Sequence, residues 1–472
     1  MSHGEAEPGR LLGGWRPLLL AAATTCVLAV YNGFPLTYPD TGNYLDNALD
    51  LLRWHRPWFF FRPPTYGAFL VPFASSRTLW LLPFAQGLLV AASVAAALRT
   101  AAVALSGRAL MALFVALCTV TSLPWFSGQI MPDTFTPIAI LLSFVVVWAP
   151  VPAPRALWAA CALPAFAIAT HLSHFPLVGA LLLSGLLVRA ATDPHVRSPR
   201  VTALLLLRAG GPLVAALLLV VAPNYLLHRQ LVLSRSSSIF ALAHLVGEGA
   251  AQRYLDRACP VRQYALCAER GALRPDVDWF LWSATGPRTR SERAMARGDS
   301  TLLREAPLIV AGTLRQEWPA LLRSSLRTSL IQLVTFELHP GEHSFSASVD
   351  RSLARLGPST SQAYRSSRQV NHALPLETAS RVEYAAVGIA LVALLWCLPR
   401  LRGPRHRPFR VLVATVALGL AINATVLASL AMVHPRYQSR VIWLVPLLGA
   451  VAVLRRIEDR RAGLGASAPL RT

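Results

Sequence analysis

Between Arg410 and Arg436 the chain carries no Asp, Glu, Lys or Arg. A helix needs about 20 predominantly apolar residues to cross the hydrocarbon of a bilayer, and residues 411–433 supply them. The same pattern, an apolar run closed by arginine, recurs along the sequence: residues 79–98 end at Arg99, and the stretch before residue 189 ends at Arg189. Composition agrees. With 54% hydrophobic and 14% charged residues among 472, and a mean hydropathy of +0.46, there is too little polar surface for a water-soluble chain of this length. The expected fold class is an all-α polytopic membrane protein.

A net charge of +22, carried entirely by arginine, would ordinarily suggest nucleic acid as a partner. Here the arginines stand in short clusters between apolar runs, with no basic domain interleaved with aromatics, so a nucleic-acid partner is not expected. The clusters serve instead to orient the chain, because positive residues are retained on the cytoplasmic side. Ten spans are expected: 15–34, 79–98, 109–123, 136–148, two from 156–188, one ending near 227, then 382–398, 411–433 and 441–454. The two spans within 156–188 are divided by the turn His171-Leu172-Ser173-His174-Phe175-Pro176. No small-residue cleavage site follows the first span, which reads as a retained anchor.

This count puts both termini in the cytoplasm and divides the chain into a cytoplasmic N-terminus (1–14), a membrane module (15–227) with a first outer loop (35–78), an extracytoplasmic region (228–381), C-terminal spans (382–454) and a cytoplasmic tail (455–472). The tail after Arg461 is expected to be disordered. Residues 317–337, apolar but bearing arginine, are expected to form an amphipathic helix on the outer surface. Trp54, Trp58, Phe59, Phe60 and Phe61 should anchor another in the headgroup layer, with His55 and Arg56 at the interface. Cys259 and Cys267 fall in the outer region and are expected to form a short-loop disulfide, while Cys26, Cys118, Cys161 and Cys397 lie within apolar helices.

The outer face gathers the polar motifs. The first outer loop contains Tyr38-Pro39-Asp40-Thr41-Gly42-Asn43-Tyr44-Leu45 and then Arg62-Pro63-Pro64-Thr65-Tyr66; Met131-Pro132-Asp133-Thr134 lies at the outer end of the third span or the start of the fourth. The last outer loop is His434-Pro435-Arg436-Tyr437-Gln438-Ser439-Arg440. From the residues alone Asp40 also suits a helix N-cap, and the outer arginines suit snorkelling to lipid headgroups.

The order of a first-loop Asp, Arg-Pro-Pro-x-Tyr and a later Pro-Asp resembles the GT-C superfamily of polytopic glycosyltransferases. Within it the likeness is to the polyprenyl-phosphate-sugar branch related to protein O-mannosyltransferases and aminoarabinose transferases. It covers about the first 190 residues and the last helices; the middle loop does not share it. The resemblance implies a GT-C-like bundle of about ten transmembrane helices in the inner membrane of a bacterium, with an extracytoplasmic active site. The implied reaction moves a sugar from a polyprenyl-phosphate donor to a hydroxyl on an envelope glycan, lipid or protein acceptor, with inversion.

In that reading Asp40 is the general base, since a partly desolvated carboxylate can take a hydroxyl proton. Asp133 either orients the acceptor or shares a divalent cation, Mg or Mn, with Asp40. Arg436, Arg440 and Arg62 would hold the donor phosphate, because guanidinium forks match phosphate oxygens. Tyr44, Tyr66 and Tyr437 are expected at the acceptor or cavity wall. His171 and His174 read first as polar turn residues, with a cavity role as the alternative and no third ligand for a metal. Glu248 is a candidate acceptor contact. The absence of a cytoplasmic nucleotide-binding pattern favours a lipid-linked donor. A transporter or flippase for a lipid-linked or anionic envelope precursor is the competing reading, although such proteins place polar groups near the midplane and often show inverted repeats. A non-enzymatic component of an envelope polysaccharide assembly is a third.

Overall fold

The computed structural model describes residues 14–53, 62–150, 154–295, 297–338 and 344–466. The expected interfacial anchor at residues 54–61, most of the N-terminal segment and the end of the tail lie outside the described residues. The first part of the chain forms α1 (Arg16–Thr25), α2 (Val27–Asn32), α3 (Thr41–Leu52), α4 (Pro64–Leu70), α5 (Leu81–Thr100), α6 (Gly107–Val120), α7 (Leu123–Ser127), α8 (Phe135–Trp148), α9 (Pro154–Ala169), α10 (His174–Thr192) and α11 (Pro199–His228). The middle region forms α12 (Ser237–Gly247), α13 (Ala250–Ala258), α14 (Val277–Trp282), α15 (Pro287–Met295), α16 (Thr301–Val334), α17 (Ala347–Leu356) and α18 (Pro358–Arg365). The chain ends with α19 (Leu376–Cys397), α20 (Arg407–Leu430), α21 (Pro435–Ile442) and α22 (Leu444–Ala466).

Among the described residues there is no strand, only an isolated parallel bridge between Leu36 and Gln129. All ten expected runs are helical. Five helices among the described residues are long and apolar enough to cross a membrane: α5, α10, α11, α19, and α20 with the turn before it. The run expected as the first span is shorter and interrupted, since α1 and α2 meet at Cys26, and α2 stops where Gly33 adopts the left-handed φ of 81°. The helices turn apolar side chains outward: Leu207, Leu218 and Leu226 on α11 are 62%, 60% and 68% exposed, and Ile389 and Leu395 on α19 are 72% and 75% exposed. In water such faces would be unstable; against lipid they are ordinary.

The largest core joins α1, α5, α8, α10, α19, α20 and α22, with α3, α4 and α17 packed at one end. A second core gathers α12, α13, α14 and the first half of α16. The stretch 317–337 departs from the expected surface helix. It is the second half of the long α16, which packs along α20, and Leu333 and Val334 share a groove with Val416 and Leu420. Leu322, Leu326, Leu330 and Val334, four residues apart and exposed, form its outward stripe.

Candidate active site

Main-chain contacts bring the two aspartate segments together. Leu36 N–H donates to the Gly128 carbonyl at 2.9 Å and the Leu36 carbonyl accepts from Ile130 N–H at 2.8 Å, which seats the loop after α2 beside the segment before α8. Thr41 fastens the turn that follows: its Oγ1 donates to the Ile130 carbonyl and accepts from Tyr38 N–H, both at 2.9 Å. From the other side the Gln369 side chain brackets Thr37, accepting from its N–H at 3.0 Å and donating to its carbonyl at 2.7 Å. Asp40 is therefore held a short distance along the chain path from Asp133.

Asp40 occupies the N-cap position of α3 with helical backbone angles, and its side chain caps nothing. Instead Oδ1 pairs with Nη2 of Arg62 at 2.5 Å, with the two side chains 19% and 15% exposed. Oδ2 has no protein partner among the described residues, and neither does the buried Nε of Arg62. Arg62 is set by the two prolines after it, which start α4.

Asp133 lies in the 3-10 turn Pro132–Thr134 that leads into α8, and it is 1% exposed. Arg436, in the first turn of α21, closes on it as a fork: Nε to Oδ1 at 3.1 Å and Nη2 to Oδ2 at 2.5 Å. Arg440, one turn later, adds Nη1 to Oδ1 at 3.1 Å and gives Nη2 to Asn423 Oδ1 of α20 at 3.2 Å. Asn423 in turn donates to the Tyr437 carbonyl at 2.7 Å. The Arg436 guanidinium lies 3.7 Å from the centre of the Tyr38 ring. Burial alone would raise the Asp133 carboxyl, but Arg436 and Arg440 outweigh it and hold the group well below the usual carboxylate range.

These groups form one electrostatic cluster. Asp40, Arg62, Asp133 and Arg436 all act on the Tyr44 hydroxyl, and Asp40 and Arg62 also act on the half-buried Tyr437. Three guanidiniums face two carboxylates, which leaves an excess of positive charge. His171 borders the cluster. Burial first, then the neighbouring Arg440 and His174, pushes its imidazole well below the usual histidine range, and its Nδ1 meets Ser173 Oγ at 2.7 Å. His174 is buried; Nδ1–H donates to the Ala167 carbonyl at 2.7 Å, which leaves Nε2 to accept from Thr136 Oγ1 at 2.9 Å.

Several expected roles change on this geometry. Arg436 and Arg440 are committed to Asp133, so they are not open forks awaiting a phosphate. Tyr66 is fully buried and donates to Gln86 Oε1 at 2.9 Å, while Gln86 donates to the Ser127 and Gln129 carbonyls at 2.9 and 2.8 Å. Tyr44 is equally buried, edge-on to Tyr66 at 5.1 Å, so both pack inside the protein beside the cluster. Glu248 accepts from Ser324 on α16 and is not among the groups that act on the cluster. Cys259 and Cys267 are joined as a disulfide in the second core. No divalent cation fits these residues: both Asp133 oxygens are taken by guanidiniums, and the described residues contain no group of three His, Cys, Asp or Glu suited to a metal.

Two contributors escaped the sequence reading. Asn423 is a lone amide in an uncharged run, and such polar residues within apolar helices usually have a partner inside the bundle. Arg288 of α15, stacked 4.6 Å from the Trp282 ring and bonded to Glu292 at 2.8 Å, lies within reach of the charges of Arg62 and Asp40. Nothing in the local sequence marked it.

An apolar groove of about 560 Å³ lies between α16, α19, α20 and α22, lined by Phe336, Val387, Val416, Leu420, Ile442 and Val445, and none of the charged groups of the cluster lines it. Ile442 is two residues from Arg440. The chain matches no known protein-family model, no curated protein and no solved structure.

Proposed function

We propose that the protein is a membrane glycosyltransferase that moves a sugar from a polyprenyl-phosphate donor to an acceptor hydroxyl at the extracytoplasmic face. The observation that carries this reading is the half-open carboxylate of Asp40, braced by Arg62, in a cluster with excess positive charge, and α16, α19, α20 and α22 enclose an apolar groove as well. A lipid-linked sugar phosphate needs those three environments together: a proton acceptor, positive charge for the leaving group and an apolar course for the prenyl chain.

In the proposed step the acceptor oxygen attacks the anomeric carbon while its proton passes to Asp40 Oδ2. The bond from the anomeric carbon to the phosphate oxygen breaks, and its electron pair leaves with the phosphate. Arg62 aligns Asp40 through Oδ1, and its unpartnered Nε supports the departing anion. Asp133 does not exchange protons near neutral pH; it fixes Arg436 and Arg440 at the wall of the site. Attack from the face opposite the phosphate inverts the anomeric centre.

The experiment is complementation of a deletion strain with the native chain or Asp40→Asn, followed by mass analysis of lipid-linked sugars and envelope glycans. The native chain should restore one decorated acceptor; Asp40→Asn should leave it undecorated while the donor lipid accumulates. Full decoration by Asp40→Asn would remove Asp40 as the base. An unchanged donor and acceptor profile on deletion would remove the glycosyltransferase reading.

A further inference from the structure

A second groove, of about 510 Å³, lies at the opposite end of the bundle, between α8, α10 and α20. The same three helices reach both ends. α8 begins next to Asp133 and reaches this groove at Trp148, about 20 Å away at 1.5 Å per residue. α10 begins at His174 and reaches it at Val188 and Thr192; α20 reaches it at Arg407 and Arg410, more than three turns before Asn423.

The walls are mainly apolar, formed by Trp148, Leu181, Val188, Val411, Ala414 and Leu418 with the hydroxyl residues Ser184, Thr192 and Thr415, and the charged residues lining the groove are Arg407 and Arg410. Three other arginines at this end are spent on the protein. Arg208 donates to the Val145, Ala149 and Pro150 carbonyls at the end of α8, Arg189 to the Val147 carbonyl and to Asp193, and Arg455 to the carbonyls of Ala102 and Arg405. Arg407 spends a single N–H on the Thr192 carbonyl, at 3.2 Å. Arg410 has no polar partner among the described residues. Two exposed, unneutralised guanidiniums thus overhang an apolar trough between helices that fit a membrane.

We propose that this groove is a binding site for an anionic phospholipid, with the headgroup phosphate in the forks of Arg407 and Arg410 and an acyl chain along the trough. Basic pockets between transmembrane helices select anionic headgroups in this way. The apolar walls favour a lipid over a soluble phosphate, and the pair of charges favours phosphatidylglycerol over a zwitterionic lipid. The site is independent of the reaction proposed above, since it shares no side chain with the Asp40 cluster.

The test uses the full chain reconstituted in nanodiscs with equal phosphatidylglycerol and phosphatidylcholine, with retained lipid read by native mass spectrometry. The native protein should retain phosphatidylglycerol preferentially, and Arg407→Gln with Arg410→Gln should lower that retention by roughly tenfold or more. Ala414→Trp, which fills the trough and leaves both arginines, should lower it as well. Arg400→Gln with Arg402→Gln, a charge loss of the same size at the same end, should leave it unchanged. Equal retention of the two lipids by the native protein, native-like retention in the Arg407 and Arg410 double variant, or the same loss in the Arg400 and Arg402 variant would overturn the site.

Discussion

Arg436 grips both carboxylate oxygens of Asp133 across 303 residues of sequence, at 3.1 and 2.5 Å, where the Asp133 side chain is fully buried and that of Arg436 is 7% exposed. α21 is thereby tied to the start of α8, and Arg440 and Asn423 extend the tie to α20.

A pair this buried should behave as a structural joint. Removing one partner strands a desolvated charge, which costs about 3–5 kcal/mol. Asp133→Ala should lower the unfolding midpoint of the solubilised protein sharply, and Asp133→Ala with Arg436→Met should recover part of the loss. Because the Asp133 carboxyl is depressed in the folded state, its contribution is complete above the ordinary carboxylate range near pH ~3.9 and falls only as pH drops below that. Thermal scans at several pH values should show no loss from this pair between neutrality and mild acid.

Asp40→Asn should separate activity from folding. The Asp40 carboxylate keeps some solvent contact, and an amide in its place still offers Arg62 an acceptor oxygen. The exchange should leave the melting curve nearly native, while transfer falls by roughly 10²–10⁴, the usual scale for losing a general base. A large stability loss with proportionate activity would instead assign Asp40 to the scaffold.

His171 predicts a pH effect of opposite sense to that of a histidine gaining an acidic partner. Its imidazole is held neutral, so below the ordinary histidine value near pH ~6.5 the unfolded chain binds a proton that the folded chain refuses. Stability should therefore be full above that pH and decline as pH falls through it. His171→Gln should flatten the decline between about pH 6.5 and 5 in pH-dependent melting.

The Cys259–Cys267 crosslink closes a loop of sequence separation 8 on the flank of the second core. A loop this short corresponds to about 2–3 kcal/mol in the chain-entropy account. Cys259→Ser should raise hydrogen exchange in α13 and α14 while leaving α8 and α20 as protected as in the native chain.

Much of this architecture was readable in the apolar runs, because a helix buried on several sides must be apolar over its length, and that signal is local. The disulfide was readable by elimination, with the other cysteines inside apolar helices. What could not be read was which side chains meet. Arg436 looked available for a phosphate because its partner lies 303 residues away, and Asp40, read as a base with a helix cap as the alternative, gave no local sign that it pairs with Arg62. Tyr66 looked like a cavity residue until Gln86, on a different helix, took its hydroxyl. The span count was legible only in part: apolarity marks helices, while half of the expected runs fall short of a full membrane crossing or carry arginine at their ends.

The bridge at Leu36 and Gln129 bears on the Asp40 substitution. Because the spacing between the two aspartate segments is set by main-chain bonds and by Thr41, exchanging the Asp40 carboxylate for an amide edits the charge map and leaves the ruler intact.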